Sequence, residues 1–259
     1  MKVRMYNVGF GDCFCLRDRK KSLLVDFGTN NSRIEGRPRR EIFDVIISDL
    51  STIKSKNLLL THFHMDHLSG LLYMMKKKDI SVDFGKIYLP DVFSKKEMSR
   101  TLVLLLLADL LKESGLPSRQ VSLFALVDAL LENKQNVELL SRGKLFENKY
   151  QALWPDTDVI RKETDEVYNR ICEDGKFKEV MDVLLEFAEK LRLIVWSMTA
   201  EGNKPAETVE KETDLTASEL TEQPEVRQKI IRAYVYEREF RRIKALPDFK
   251  KLLAWLNEN

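Results

Sequence analysis

Short apolar runs alternate with segments of amphipathic spacing over the first 155 residues. The short runs are bounded by glycine, proline or polar residues, which is typical of strands. They lie within residues 2–27 and at 57–60, 85–90, 137–140 and 150–154. Helical spacing occupies residues 41–53, 71–77 and two segments between 95 and 134 that are divided at 115–117. This alternation predicts a layered α/β fold.

The pattern changes after Pro155. Helical periodicity runs through residues 163–197, whereas residues 199–224 are rich in Thr and Glu and carry few apolar side chains. Two further helices are predicted at 225–243 and 247–256. We therefore expect an α/β region at residues 1–155 and an α-helical region at 156–259, with a polar linker near 199–224.

Composition indicates the cellular location of the protein more than its function. The chain has 43 basic and 41 acidic side chains, a balance that neither requires nor excludes a nucleic-acid partner. The most apolar run, residues 101–107, is too short to span a bilayer, and the first residues lack the apolar core of a secretion signal. Three cysteines, Cys13, Cys15 and Cys172, do not make a disulfide framework. These features predict a cytoplasmic protein without membrane contact.

All three histidines of the chain lie within six consecutive positions, together with Asp66. In an extended segment alternate side chains point the same way, so His62 and His64 can converge on one ion. Asp66 and His67 are adjacent and can hold a second ion nearby. Imidazole and carboxylate are suitable ligands for zinc, and also for iron or manganese. The cluster follows a predicted strand directly, so we interpret it as a metal-binding loop rather than a chance polar loop.

The segment Thr-His-Phe-His-Met-Asp-His-Leu-Ser-Gly at 61–70 resembles the signature of metallo-β-lactamase-fold hydrolases. Leu-Leu-Val-Asp-Phe-Gly at 23–28 is similar to the first motif of that family, an aspartate that ends a strand beside the metal loop. Val-Gly-Phe-Gly-Asp-Cys at 8–13 resembles the opening turn of the competence-type DNA-uptake subgroup. The resemblance covers roughly residues 1–155, the first half of the family's fold. It implies incomplete αββα layers, followed here by an α-helical C-terminal region.

The resemblance also implies a chemistry. Two metals about 3.5–4 Å apart share a hydroxide in such hydrolases. His62 and His64 would bind the first metal, and Asp66 and His67 the second, while Asp66 would also orient the attacking water. Asp26 would hold the histidine loop by hydrogen bonding; on sequence grounds it is equally a strand-ending residue. The expected cofactor is one or two Zn²⁺ ions, with Mn²⁺ or Fe as alternatives.

The complete site of this family also needs a third histidine, a bridging aspartate and a last histidine from the second half of the fold. This chain has no histidine after His67. Three explanations stay open: another polypeptide or a missing extension supplies the rest, a helical insertion replaces the second half and leaves a single weakly held metal or a carboxylate-rich site, or the half-fold serves as a binding module. An unclosed half-fold exposes a sheet edge and an apolar face, so we expect a partner chain, an oligomer or the C-terminal helices to cover them.

Four arginines, Arg33, Arg37, Arg39 and Arg40, precede the metal motif and can steer a phosphate-bearing substrate, although a solvated loop explains them as well. Together with the opening turn they favour a metal-dependent hydrolase that cleaves phosphodiester bonds in nucleic acid or a nucleotide. The alternative function is a catalytically incomplete module that acts in binding or assembly with a partner chain.

Overall fold

A computed structural model describes residues 1–18, 21–77, 83–113, 122–133, 135–173, 175–200 and 240–258. They form two compact units. The first consists of Met1–Pro90 and Ser122–Leu140, and the second of Asp91–Val121 and Ser141–Asn259. The second unit thus includes residues that precede position 155. The domain boundary at that position stays a prediction.

The strands and helices are numbered along the chain. The strands are β1 (Lys2–Met5), β2 (Phe14–Asp18), β3 (Lys21–Val25), β4 (Arg33–Ile34), β5 (Arg37–Pro38), β6 (Ser55–Leu59), β7 (Ile87–Pro90), β8 (Val137–Leu140), β9 (Leu145–Phe146) and β10 (Tyr150–Gln151). The helices are α1 (Arg39–Ser51), α2 (Met65–Met75), α3 (Ser99–Glu113), α4 (Ser122–Glu132), α5 (Thr157–Cys172), α6 (Lys178–Ser197), α7 (Phe240–Ala245) and α8 (Phe249–Glu258), with a 3₁₀ turn at Lys96–Met98.

The first unit contains a six-stranded mixed sheet in the order β1-β2-β3-β6-β7-β8. The strands β1, β2 and β3 form an antiparallel meander, whereas β3, β6, β7 and β8 run parallel. Parallel neighbours need a crossover connection, and α1 and α2 supply it between β3, β6 and β7. A mixed sheet with crossover helices is the α/β arrangement that the sequence pattern predicts.

The two faces of this sheet differ in burial. One row of paired residues crosses all six strands and consists of Arg4, Cys15, Leu24, Leu58, Ile87 and Val137. All of them except Arg4 are buried. The neighbouring row points to the opposite face and starts at Met5, Phe14, Val25 and Leu59. Met5 is 72% exposed, and the other three are only half-buried. The edge near β1 therefore presents an apolar surface on one face.

Helix α1 has a buried apolar stripe consisting of Phe43, Ile46, Ile47 and Leu50. The Phe43 ring meets Phe27 edge-on with centroids 5.2 Å apart and lies 5.6 Å from the ring of Tyr73 on α2. Burial of such side chains supplies most of the driving force for folding. The stripe is the amphipathic spacing that predicts this helix.

A polar contact joins the edge strand to α1. Asp49 on α1 accepts hydrogen bonds from the Arg4 guanidinium and the Tyr6 hydroxyl. Partial burial works against the charge of Asp49, but the bonds from Tyr6 and Arg4 outweigh it and hold its pKa below the ordinary value. The ionised carboxylate is therefore the form that stabilises this contact.

The second unit is mainly helical, with α3 packed against α5 and α6, and also contains the short antiparallel pair β9 and β10. One of its buried charged side chains is Arg192, which is 4% exposed and bonds both carboxylate oxygens of Glu189 at 3.0 and 2.7 Å. The same guanidinium donates to the Phe93 carbonyl at 3.1 Å, and Glu189 also accepts from the Ser99 hydroxyl. Each charge thus has several partners, as a buried ion pair requires.

Several predicted elements differ from the observed ones. Helix α2 begins at Met65 rather than Leu71, because His64 is extended and the chain turns helical inside the histidine motif. The helical stretch over 163–197 is two helices, separated near Gly175, whose φ of 68° does not fit a helix. The strand expected at 150–154 is only Tyr150–Gln151. The linker at 199–224 and the helix at 225–243 lie almost wholly outside the described residues.

None of the helices in the described ranges combines the length and hydropathy that crossing a bilayer demands. The cytoplasmic compartment stays a prediction. The three cysteines are free thiols, and Cys13 and Cys15 are buried. Burial raises the pKa of Cys13 well above its usual range, so this thiol is a core group rather than a reactive one.

Substitution Asp49→Asn tests the contact between β1 and α1. We expect it to lower the free energy of unfolding by about 1 kcal/mol at pH 7, because it removes the charge that Arg4 and Tyr6 bind. Folding lowers the pKa of Asp49. The contribution of Asp49 to the free energy of unfolding is therefore fully present above its pKa in the unfolded chain, and it is lost as the pH falls through its pKa in the folded protein. Urea denaturation at pH 7 and near pH 3 should show the difference from wild type shrinking in acid.

Glu41→Gln is the matched control on the same helix. It breaks a pair with Arg37 at 3.4 Å in which both side chains are more than half exposed, so little change is expected. Equal decreases in the free energy of unfolding for the two variants at pH 7 would contradict a stabilising role of the Asp49 contact.

Candidate metal centre

The histidine motif lies at the carboxyl edge of two neighbouring parallel strands. Asp26 directly follows β3, and residues 60–64 connect β6 to α2. The register pairs Val25 with Leu59, so both strands end at the same level of the sheet. The turn between β1 and β2 reaches the same edge, because the Asp12 amide donates to the Asp66 carbonyl at 3.3 Å. Carboxyl edges of parallel strands are where open α/β sheets place their ligands.

Helix α2 starts inside the motif and orients two of its residues. His64 precedes the helix with φ −79° and ψ 152°, and Asp66 and His67 occupy the first turn. The partial positive charge of a helix N-terminus favours a carboxylate there. The change from extended to helical backbone at this point decides which side chains of the motif meet.

Three potential ligands converge: His62, Asp66 and His67 each offer an atom within 4.8 Å of the others. The imidazole rings of His62 and His67 have centroids 3.6 Å apart. A carboxylate oxygen of Asp66 lies 3.7 Å from Nε2 of His67. Two imidazoles and a carboxylate at this separation match the donor set of a zinc site with three protein ligands.

Hydrogen bonds orient both histidine rings. Nδ1 of His67 lies 2.9 Å from a carboxylate oxygen of Asp26, and Nδ1 of His62 lies 3.1 Å from the Thr61 hydroxyl oxygen. A carboxylate only accepts, so His67 carries a proton on Nδ1, and in the neutral ring Nε2 then carries the lone pair. The Thr61 hydroxyl gives its own proton to Asp26 at 2.7 Å, so Nδ1 of His62 is the donor to Thr61. Both rings therefore present Nε2 as the metal-binding atom.

The Asp26 carboxylate is nearly inaccessible, with 2% exposure, and serves three donors. Besides His67 it accepts from the Thr61 amide at 2.8 Å and the Thr61 hydroxyl at 2.7 Å. Its backbone is in the left-handed region with φ 54°, which aspartate tolerates better than most residues. One carboxylate thus connects the end of β3 to the loop after β6.

Burial lowers the pKa of His62, and the neighbouring His67 and His64 lower it further by charge repulsion. A lowered pKa keeps this imidazole neutral near pH 7. Metals bind the neutral ring, so no proton has to leave His62 at that pH.

Two glycines allow the backbones around the motif to approach closely. A Cβ on Gly28 would lie 2.6 Å from the Asp66 carbonyl group, and one on Gly11 would lie 2.7 Å from the Asp66 oxygen. Such distances are too short for any side chain. Glycine at both positions therefore lets the β1–β2 turn and the end of β3 support the first turn of α2.

The structure places three of the four predicted ligands side by side, and their assignment to a first or a second ion stays a prediction. It brings together His62, Asp66 and His67, whereas His64 is exposed and has its ring centroid 4.9 Å from that of His62. In the described part of the chain a second group consists of Asp12, Asp26 and His67. Its histidine atom, Nδ1, is already bonded to Asp26, so this group supports the ligands and does not compete with them.

Asp12 is the residue near the site that sequence reasoning overlooked. One of its carboxylate oxygens lies 3.7 Å from Nδ1 of His67. Its position in the glycine-containing turn at 8–13 could have indicated a role near the metal ligands, because that turn carries part of the family resemblance.

Comparison with known proteins covers this part of the chain. Residues 6–91 match the family model of the metallo-beta-lactamase superfamily, a range that contains every residue of both groups. The chain is also similar to Endoribonuclease YSH1 of Mycosarcoma maydis, with 32% identity over 77 residues, or 30% of this chain and 8% of that protein. The chain thus spans less than a tenth of that relative's length. No solved structure matches the chain. The competence-type subgroup stays a prediction.

Asp26→Asn tests whether one buried carboxylate sets the state of His67. Asparagine also tolerates positive φ, so the backbone change is small. Its amide nitrogen can donate to Nδ1 of His67, which would move the ring proton to Nε2 and block the metal-binding atom. We expect Zn²⁺ affinity, measured by competition with a chromophoric chelator, to fall about 10- to 100-fold.

Asp12→Asn is the comparison variant, because its oxygen lies farther from His67, at 3.7 Å, and its side chain is 43% exposed. We expect it to change Zn²⁺ affinity much less. An Asp26→Asn protein that binds Zn²⁺ as tightly as wild type would rule out this role for Asp26.

Proposed function

We propose that this protein is a metal-dependent hydrolase that cleaves phosphodiester bonds by means of a metal-activated water. The observation that carries the proposal is the convergence of His62, Asp66 and His67, with both imidazoles held to present Nε2. The superfamily match over residues 6–91 supports it, because that superfamily is typically metal-dependent.

The residues present fit a zinc ion. Three protein ligands leave a coordination position for water, which is the difference between a catalytic zinc site and a closed structural one. When bound, zinc would supply a hydroxide at near-neutral pH and polarise the phosphoryl oxygen. We assign one zinc ion to the converging group. Two alternatives remain: a second ion accompanies the first, or Mn²⁺ or Fe takes the place of zinc. Metal analysis of the purified protein decides among them.

Each nearby side chain has a part in this proposal. His62 and His67 donate lone pairs, and Asp66 both binds and accepts a hydrogen bond that orients the attacking water. Asp26 keeps the proton of His67 on Nδ1, as described above. We propose His64 as a fourth ligand. Rotation of its exposed side chain toward His62 would bring its imidazole to the other three ligands.

The substrate class rests on the name of one relative and on phosphate chemistry. The matched protein of Mycosarcoma maydis is named an endoribonuclease. We therefore propose nucleic acid, with RNA as the first substrate to test. Arg33 bonds the Gly36 carbonyl and Arg37 pairs with Glu41, so we give these two arginines no role in binding.

The proposal is tested with the purified protein loaded with Zn²⁺ or Mn²⁺ and labelled single-stranded RNA. His62→Ala, Asp66→Ala and His67→Ala should each lower the cleavage rate at least about 100-fold, because each removes a ligand from the group. His64→Ala should lower it less if that residue is only an outer ligand. Metal content of every variant is measured alongside.

Asp158→Asn is the control, since this carboxylate lies in the second unit and is 77% exposed. It should keep wild-type activity. Protein that contains no metal after loading, or cleavage that survives in the His62→Ala and His67→Ala variants, would refute the proposed function.

A second candidate function is assembly with a partner chain, and the apolar edge of the sheet favours it. Val3 and Met5 on β1 are 56% and 72% exposed and point to the same face as the half-buried Phe14. Exposed apolar edge strands tend to pair or to be covered. We propose that a second chain covers this edge.

Val3→Lys/Met5→Lys tests the assembly, because two charges at the edge would disfavour burial there. If assembly occurs through β1, light scattering should show an oligomer for wild type and a monomer for the variant. Val159→Lys/Val167→Lys places the same two charges at exposed apolar positions of α5 and serves as control. A wild-type monomer at high concentration would exclude self-association through this edge.

A further inference from the structure

The first unit has a cavity of about 1050 Å³ at the end of the sheet opposite the histidine motif. It is lined by the start of β1, the end of β2, Ser22 on β3 and the connection from α1 to β6. Ser22 and Asp26 are four residues apart on one strand, so about 13 Å of β3 separates the cavity from the metal ligands. The cavity is large enough for a nucleotide-sized ligand.

Three cationic side chains from three different elements line this cavity: Lys2, Arg17 and Lys54. None of them forms a hydrogen bond or ion pair with a residue in the described ranges. Other cations of the unit are paired, as Lys77 is with Asp44 and Lys86 with Glu138. The cavity therefore gathers positive charge, of which only the Arg17 charge interacts electrostatically with the Asp49 carboxylate in the described fold.

The remaining polar groups of the cavity suit an anion. Asp18 is the single carboxylate among the described residues that line it, so the three cations leave an excess of positive charge. The Ser55 hydroxyl adds a donor. Helix α1 ends beside the cavity, and its carbonyl end would repel an anion, but the ammonium of Lys56 bonds the Ile53 carbonyl at 2.8 Å and offsets this repulsion.

We propose that this cavity binds phosphate groups, either of a polyphosphate-bearing small molecule or of a nucleic-acid backbone. Arg17 matches phosphate oxygens in a bidentate manner, and Lys2 and Lys54 act as point charges on either side. The site is separate from the histidine group and does not depend on the proposed hydrolase activity. Occupation of both places by one strand would require it to pass along the sheet.

Binding is measured with the full chain carrying His62→Ala and Asp66→Ala, so that cleavage cannot obscure it. The probes are inorganic tripolyphosphate and a fluorescent single-stranded RNA of about 12 nucleotides. We expect binding at low salt that weakens as salt rises, as phosphate contacts do. Arg17→Gln/Lys54→Gln should weaken it at least about tenfold and flatten the salt dependence.

The two probes distinguish the sources of phosphate. Tripolyphosphate that binds and displaces RNA indicates a small phosphate ligand, whereas RNA binding that tripolyphosphate does not displace indicates a backbone. Lys162→Gln/Lys250→Gln removes the same charge from exposed positions of the second unit and should change neither affinity. Lys54→Gln alone, in an exposed connection, repeats the test if the double variant unfolds.

The proposal is overturned if neither probe binds at low salt, if Arg17→Gln/Lys54→Gln binds as tightly as the parent, or if the Lys162→Gln/Lys250→Gln control loses as much affinity. None of these outcomes depends on whether the histidine group hydrolyses anything, so the two proposals can fail independently.

Discussion

The site depends on the Asp26 carboxylate more than on any other group. It is buried, and a buried charge is costly unless it is fully bonded. Thr61 and His67 provide that bonding from residues more than thirty positions away. The contact does three things at once: it satisfies the charge, positions the loop after β6 and decides which nitrogen of His67 carries the proton. Geometry and protonation at the site therefore have one common cause.

The sheet explains why this contact forms. Because β3 and β6 are parallel neighbours in register, their carboxyl ends meet at one edge, and Asp26 comes to lie beside Thr61. The same alignment brings their other ends together, beside the cavity lined by Lys2, Arg17 and Lys54. One parallel pair thus carries two regions of contrasting chemistry, an imidazole and carboxylate group at one end and a group of cations at the other.

The sequence is informative about which residues matter and less so about how they meet. Clustering predicts His62, Asp66 and His67, because residue types and proximity along the chain need no knowledge of the fold. Pairing of His62 with His64 on one ion assumed an extended segment. His64 is extended, but its side chain is exposed, and the pairing stays a prediction. Asp12 could not be assigned from spacing, because a turn some fifty positions upstream reaches His67 only through the tertiary fold. The helix over 41–53 was predictable because its apolar stripe directly reflects burial of α1.

The short distance along the chain between the three converging ligands has a consequence for metal-linked stability. Bringing together residues 62–67 closes only a small loop, so even an unfolded chain can chelate a metal through them. Ligands that also bind the unfolded state stabilise the native state by less than their affinity suggests. What folding adds is Asp26 and the orientation it imposes on His67. Metal should therefore raise the unfolding temperature only to the extent that this distant carboxylate improves on the local chelate.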